Sequence, residues 1–203
     1  MKVLVTAGST WTKIDDVRII TNRFTGKTGL GLAQGLKKKG HSVTLLANPH
    51  CLGKVGELKI VPYYYFEEFK REVFKILKKQ SYDVIIHNAA VSDYKLEKPF
   101  KGKVSSGKKQ SLNLVPTEKI IKYMRILAPK SILIQFKLES KKRGIINKAY
   151  NSLKINKSDF VVANALEDLK DGYKGFLINN DKKVISLGSR KSLLTALNKL
   201  ICP

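Results

Sequence analysis

Short, almost uninterrupted apolar runs that alternate with helical spacing constrain this chain more than any other feature. Lys2–Ala7 (KVLVTA), Ser42–Ala47 (SVTLLA) and residues 83–90 (DVIIHNAA) read as strands covered on both faces; a strand with one wet face would alternate apolar with polar. Between them, residues 27–39 bring Leu30, Ala33 and Leu36 to one side and stop at Gly40. Phe66–Lys79 does the same with Phe66, Phe69, Val73, Phe74 and Leu77, and Lys59–Pro62 is a further candidate strand. Strand, helix, strand, helix, strand predicts an α/β fold: a mostly parallel sheet with helices on both faces and right-handed crossovers. Downstream the pattern predicts a helix over 117–126 capped by Thr117, a strand over 132–136, a helix over 144–153 and a strand over 159–164. A hairpin, Gly175–Asn179 with 183–187, turns at Asn180-Asp181; Ser189 then caps a closing helix with Leu193, Leu194, Leu197 and Leu200 inward. No repeat or linker divides residues 1–203, so one domain is expected.

Two connections are too long for such a fold. Strand–helix links usually take roughly 2–6 residues, yet residues 8–31 and 91–111 both lack regular periodicity. Ligands in these sheets bind at the carboxyl ends of the strands, here Gly8, Asn88-Ala89-Ala90, Phe136 and Ala163-Asn164. Both long segments leave from that edge. The first carries Asp15, Asp16, Arg18, Asn22, Arg23 and Lys27, side chains suited to anions and to orienting reactants. Its opening residues, Gly8, Ser9 and Thr10, offer backbone donors and hydroxyls for phosphates. The second reads as a mobile flap holding Asp93 and Lys103, followed by a short strand over 112–115.

The net charge of +23 raises nucleic-acid binding as one reading. The lysine clusters are scattered, however, and several follow amphipathic helices, where cations suit the C-terminal dipole. No RNA-binding aromatic motif or zinc-finger spacing accompanies them, so nucleic acid is the lesser reading and a field that draws small polyanionic substrates the better one. Gly26-Lys27-Thr28 is not a P-loop tail, because the required earlier glycine is Thr21. Tyr150 and Lys154 have the Y-x-x-x-K spacing of short-chain NAD(P)-dependent reductases, and Asn88-Ala89-Ala90 is similar to a segment of that family. Against it, no glycine-rich dinucleotide turn follows the first strand directly. No apolar run reaches the roughly 20 residues that span a bilayer, and the N-terminus is too soon broken by Gly8 for a signal peptide, so a cytoplasmic protein without membrane contact is expected. Cys51 and Cys202 read as free thiols in a reducing compartment, and no protein metal cluster is visible.

Residues 5–29, V-T-A-G-S-T then I-D-D-V-R-I-I-T-N-R-F-T-G-K-T-G, resemble the opening of the phosphopantothenate–cysteine ligases. That family has T-A-G-G-T, D-x-V-R and S/T-N-x-S/T-S/T-G-x-x-G. The similarity continues, in the family's order, at Asn88-Ala89-Ala90-Val91-Ser92-Asp93-Tyr94, at Gly102-Lys103-Val104-Ser105-Ser106, at 114–120, at 136–140, at 159–164 and at Gly175-Phe176. It implies a Rossmann-like, homodimeric enzyme that joins 4′-phosphopantothenate to L-cysteine in coenzyme A synthesis. A nucleoside triphosphate with Mg²⁺, CTP ahead of ATP, activates the carboxylate as an acyl-nucleotidylate, and cysteine's amine then attacks.

The resemblance also implies roles. Lys103 on the flap serves the activation half-reaction, and Asn22 holds the acyl-nucleotidylate. Arg18, one helical turn before Asn22, supports the substrate or the loop, with Ala89 and Ala90 at the acid. Asp93, Glu118, Lys119, Ile120 and Phe136 match nucleotide-contacting positions. The chain departs from the family at three places: the larger form's K-I-K-K is Lys103-Val104-Ser105-Ser106 here, so only the first lysine carries over; Gln135 replaces a glycine; and Ser152 and Asn156 replace two lysines of the larger form. Lys154 and Lys157 are the candidates to replace those lysines at the triphosphate.

Overall fold

In the computed structural model, residues 1–53, 55–169 and 172–201 are described. β1 (Lys2–Ala7) leads through β2 (Trp11–Lys13) and β3 (Ile19–Thr21) to α1 (Lys27–Lys38). Then come β4 (Ser42–Ala47), β5 (Lys59–Pro62), α2 (Phe66–Lys79) and β6 (Val84–His87). A second excursion contains β7 (Tyr94–Leu96) and β8 (Leu114–Pro116), followed by α3 (Ile120–Leu127), β9 (Ile132–Glu139), α4 (Ile145–Asn156) and β10 (Phe160–Ala165). β11 (Gly175–Asn179), β12 (Val184–Leu187) and α5 (Arg190–Ile201) close the chain.

The central sheet runs β12-β11-β10-β9-β6-β1-β4-β5. Its six strands from β10 to β5 are parallel, and β11 and β12 add an antiparallel edge. This is the expected α/β, Rossmann-like architecture. β1 is solvent-free beyond its first residue because helices cover both faces. On one face Val3, Val5 and Ala7 pack with Leu30, Ala33 and Leu36 of α1 and Leu193 and Leu197 of α5. On the other, Leu4, Ile85 and Leu133 meet Phe69 and Val73 of α2 and Ile120 and Met124 of α3. α4 packs through Ala149 and Leu153 on Val161 and Ala163 of β10. Register places Val161 beside Gln135, so α4 shares the face of α2 and α3.

The chain winds outward from β1 to β4 and β5, returns to β6 on β1's other side, and winds outward again. β1 and β6 therefore flank the switch point where such folds hold ligands. Both long connections spring from these two strands, and Ser9 and Ala90 continue their parallel pairing.

Several expectations change. The first long connection contains the β2–β3 hairpin, and the flap is rooted on the β7–β8 ladder. Arg18 is not on a helical turn before Asn22, since β3 lies between them. Thr117 does not cap α3, which starts at Ile120; its hydroxyl donates to the Ser92 carbonyl at 2.6 Å. Phe74 is half-buried against Tyr123, and Ile76 takes the inward place. Leu194 is half-buried in the space left on α1 by Gly35. Ser189 does cap α5, accepting from Ser192 N at 3.0 Å. Of the two cysteines, Cys51 is a free thiol and Cys202 lies outside the described residues.

Candidate active site

Two cavities open at the carboxyl edge of the sheet. The first, of about 250 Å³, lies on the face of α1 and α5. The first turn of α1 forms one wall. Gly26 precedes that turn at φ 68°, and a Cβ there would come within 2.6 Å of Gly8 N. Close approach and a left-handed backbone together require glycine at this position. The α1 N-terminus has no side-chain cap, so its free N–H groups and positive dipole end suit an anion. Lys27, Lys137 and Arg190 also line this cavity, and Arg190 Nε donates to Thr28 Oγ1 at 3.2 Å. Arg190 stands 5.5 Å over the ring of Tyr173. The Tyr173 hydroxyl donates to Asn164 Oδ1. Burial drives its pKa up to about 12, against smaller downward pulls from Asn164 and Arg190, so it stays protonated.

The second cavity, of about 680 Å³, lies on the face of α3 and α4. The start of α3 forms one wall, and Lys119, Lys122, Lys137 and Lys148 bring cations to it. Asp93 and Glu139 supply carboxylates: Asp93 accepts from Lys119, and Glu139 from Lys137 at 3.2 Å and Lys148 at 2.9 Å. Its inner wall is uncharged, built from His87, Gln135, Ser152 and Asn156. Ala89, Phe136 and Lys137 line both cavities, so the two meet across the ends of β6 and β9.

The two long connections are clasped together in front of this edge. Asp15 sits at 1% exposure under the β2–β3 turn. Its carboxylate accepts from Val17 N (2.8 Å), Arg18 N (2.7 Å), Arg18 Nη1 (2.8 Å) and, from the flap, Val104 N (3.0 Å). Burial pushes its pKa up, but the N–H donors and the Arg18 charge outweigh that and hold the carboxyl below its ordinary range. Arg18 Nη2 donates to Val104 O, Phe100 N to Ile14 O, and Gly102 N to Asp16 Oδ2. Lys103 lies within this clasped stretch, exposed, with its ammonium unpaired among the described residues. Asn22 stands at the end of β3, and its Nδ2 donates to Ala90 O at 3.1 Å and Val91 O at 3.3 Å.

The expected site residues thus separate. Gly8, Ala89, Ala90 and Phe136 line the first cavity; Asp93, Glu118, Lys119 and Ile120, with Ala89 and Phe136, line the second. Asn22 sits at the rim, and Lys103 on the clasped flap. Arg18 is spent on Asp15 and Val104 as a tether between the two connections. Ser9 and Thr10 are fully buried, and their hydroxyls are taken up inside the protein: Ser9 Oγ donates to Asn22 O and Phe24 O, and Thr10 Oγ1 to Ser92 Oγ. Glu118's carboxylate pairs with Lys70. Lys154 and Lys157 line neither cavity; Lys154 Nζ donates to Asn180 O, and Lys157 ends α4 at φ 52°. Tyr150 donates to the same Asn180 carbonyl, so the reductase pair is spent on the β11–β12 turn. Sequence reasoning gave no role to Lys137, although it lies in the family-like stretch 136–140, and missed Tyr173 and Arg190, which carry no motif. Ser152 and Asn156 stand in the second cavity's wall, in place of the lysines nearby.

Fold and site together define a doubly wound α/β domain with two adjoining, cation-rimmed cavities at its switch point. The chain belongs to the DNA/pantothenate metabolism flavoprotein C-terminal domain family, whose model matches residues 1–200. It is 36% identical over 168 residues to the coenzyme A biosynthesis bifunctional protein CoaBC of Thermococcus kodakarensis, covering 82% of this chain and 41% of that protein. This chain spans about two-fifths of the length of such curated relatives. The crystal structure of the DNA/pantothenate metabolism flavoprotein from Streptococcus pneumoniae superimposes with TM-score 0.88 at 26% identity, covering 99% of this chain and 98% of that one. The C-terminal domain of a CoaBC bifunctional protein gives TM-score 0.81 at 26% identity, over 98% and 93% of the two chains.

Proposed function

We propose that this chain is a phosphopantothenate–cysteine ligase. The observation that carries the reading is the shared wall of Ala89, Phe136 and Lys137 between two anion-suited cavities. An acid and a nucleotide seated one in each cavity would meet at that wall. The first cavity suits 4′-phosphopantothenate, its phosphate at the first turn of α1 beside Lys27 and Arg190. The second suits the nucleoside triphosphate. Family membership and the coenzyme A biosynthesis relatives agree with this pairing.

In the first step the acid's carboxylate oxygen forms a bond to the α-phosphorus, and the bond to the departing pyrophosphate breaks. Anion meets anion there, so catalysis needs cations held in place. Lys103 comes from the clasped flap and Lys137 from the shared wall. In the second step cysteine's amine attacks the acyl carbon, the bond to the phosphate breaks, and the nucleoside monophosphate leaves with the electron pair; the amine's proton goes to solvent. Asn22, anchored on the carbonyl of Ala90, which lines the first cavity, holds the mixed anhydride without adding charge. Mg²⁺ usually binds through one or two carboxylates plus substrate phosphates. Asp93 and Glu139 are such carboxylates, and among the described residues no group of three or more His, Cys, Asp or Glu forms a resident metal site. In this reading the ion arrives with the nucleotide substrate, and CTP, the nucleotide of most bacterial and archaeal members of the family this chain resembles, is preferred over ATP. The enzyme works as a cytoplasmic homodimer; among the described residues no helix is long and apolar enough to cross a membrane.

Incubation with phosphopantothenate, cysteine and CTP or ATP is expected to release pyrophosphate. Release with neither nucleotide would overturn the reading. Lys103→Gln is expected to abolish release, and Asn22→Asp to let the acyl-nucleotidylate accumulate. Normal turnover in Asn22→Asp would remove that residue from the mechanism. Sedimentation at working concentration tests the dimer.

A further inference from the structure

We propose that Lys148 on α4, anchored beside Lys137 on the Glu139 carboxylate, grips the β- and γ-phosphates of a nucleoside triphosphate in the second cavity. The inference rests on the ligase reading only in taking that cavity as the nucleotide site. It starts from Gln135, which is 3% exposed beneath α4. A buried primary amide needs partners for its oxygen and for its N–H groups. α4 supplies both: Asn156 Nδ2 donates to Gln135 Oε1 at 2.8 Å, and Gln135 Nε2 donates to Ser152 Oγ at 3.3 Å. Asn156 Nδ2 also donates to Ser152 Oγ at 3.3 Å. A lysine at 152 would have no acceptor for the Gln135 N–H. Glutamine at 135 therefore works against lysine at 152, and the departures at 135, 152 and 156 form one coupled change. Its result is a neutral wall whose amides and hydroxyl are bonded to one another, with no cation for a phosphate.

The cation stands one turn away on the same stripe. Residues 148, 152 and 156 are spaced i, i+4, i+8 and share one side of α4, and all three line the cavity. Lys148 lies about 6 Å nearer the start of the helix than Ser152, toward the carboxyl edge of the sheet from which α4 sets out after β9. Its Nζ donates to Glu139 Oε2 at 2.9 Å, and Lys137 pairs with Oε1 at 3.2 Å. One carboxylate thus holds two ammonium groups, and the trio stays cationic. Each ammonium has three N–H groups and uses one on Glu139, which leaves two for phosphate oxygens. Anchoring also removes beforehand part of a lysine's rotamer freedom, roughly 1.5–2 kcal/mol when fully lost. Lys137 lines both cavities. A phosphate chain that begins at this shared wall, where the α-phosphorus meets the acid, runs outward from Lys137 to Lys148. On the α3 side, Lys119 is engaged by Asp93, and Lys122 has no side-chain partner to fix it among the described residues.

Equilibrium binding of CTP, ATP and their monophosphates, each with Mg²⁺ and without phosphopantothenate, tests the grip. The tighter-binding triphosphate is expected to exceed its monophosphate at least about tenfold in affinity. Lys148→Met keeps the apolar stem and removes the charge, at a side chain 58% exposed that the fold does not depend on. It is expected to weaken that triphosphate about tenfold and leave the monophosphate within about twofold. Lys154→Met, on the same helix but outside both cavities, is expected to leave both within about twofold. A wild-type chain that binds triphosphate no better than monophosphate would overturn the proposal. So would a Lys148→Met variant that keeps the wild-type ratio of the two, or a loss that appears in Lys122→Met instead. The two readings fail separately. Triphosphate binding that depends on Lys148, in a chain that releases no pyrophosphate with phosphopantothenate and cysteine, refutes the ligase and leaves the grip standing. Pyrophosphate release by the wild-type chain, with Lys148→Met binding triphosphate normally, does the opposite.

Discussion

Asp15 ties the flap to the first long connection through a single carboxylate. Because native contacts depress its pKa below the ordinary 3.8, Asp15's share of the clasp is fully present at neutral pH and is lost only as pH falls through that depressed value. Asp15→Ala removes the acceptor for Val104 N and the partner of Arg18 together. Amide exchange in residues 97–113 is expected to quicken while the sheet stays protected. Turnover is expected to fall about a hundredfold from misplacement of Lys103; unchanged exchange in the flap would show that the clasp does not hold it. His87 runs the other way in pH. Burial lowers its pKa from 6.5 to about 4, so the unfolded chain binds a proton first as pH drops. Stability is expected to fall by about 1.4 kcal/mol per pH unit between those values from this group, and chemical denaturation of His87→Phe over pH 4–7 should lack that component. At this scale the sequence was legible as residue types more than as partners. Asp15, Arg18 and Asn22 stood out because polar side chains crowded an overlong connection. That Arg18 spends its charge on Asp15 and a flap carbonyl depends on a turn geometry that spacing alone does not carry.

The strands and helices of the core could be read because their period is imposed by burial: β1 and β4 are buried on both faces beyond their first residue and mostly apolar, and α1 and α2 repeat at helical spacing. β2 and β3 could not, since three residues are too few to show a period and the turn between them is built by Asp15 rather than by a glycine dipeptide. The first cavity shows the same limit among elements. Its anion-binding turn belongs to α1, but α5 brings Arg190 onto Thr28 from the far end of the chain, and no local signal announces a contact made by closure of the sheet. The contact yields a prediction for the pair of helices. Arg190→Ala is expected to raise the KM for phosphopantothenate about tenfold, the value of one charge-assisted hydrogen bond, and to leave the KM for the nucleotide unchanged. Steady-state kinetics with each substrate varied in turn separates the two. A rise in nucleotide KM instead would move the acid's phosphate out of the first cavity.

On the scale of the whole molecule, 39 Lys and Arg against 16 Asp and Glu give the chain its net charge of +23. Some of this is local: Arg125, for example, donates to the carbonyls of Lys157, Pro129 and Ser131 and pairs with Asp159, locking α3 to the start of β10. Exposed lysines make up much of the remainder, and surface pairs add little to stability. A field of this sign acts on association. Both proposed substrates with phosphate groups are polyanions, and both cavities carry cations at one edge of the sheet, so long-range attraction and local recognition point to the same place. The field's reach is set by salt, since the screening length falls from about 30 Å at 0.01 M to about 8 Å at 0.15 M. Accordingly kcat/KM for phosphopantothenate and for the nucleotide is expected to fall as NaCl is raised across that range, while kcat at saturation holds, because the short contacts inside the cavities are screened far less. Cysteine, with no net charge at neutral pH, supplies the internal control: its KM is expected to stay flat. A kcat/KM that ignores salt for all three substrates would detach the charge from catalysis. Steeply salt-dependent capture of generic duplex DNA in the same buffers, with a log–log slope of about −0.9 per phosphate engaged, would then assign it to a nucleic-acid surface.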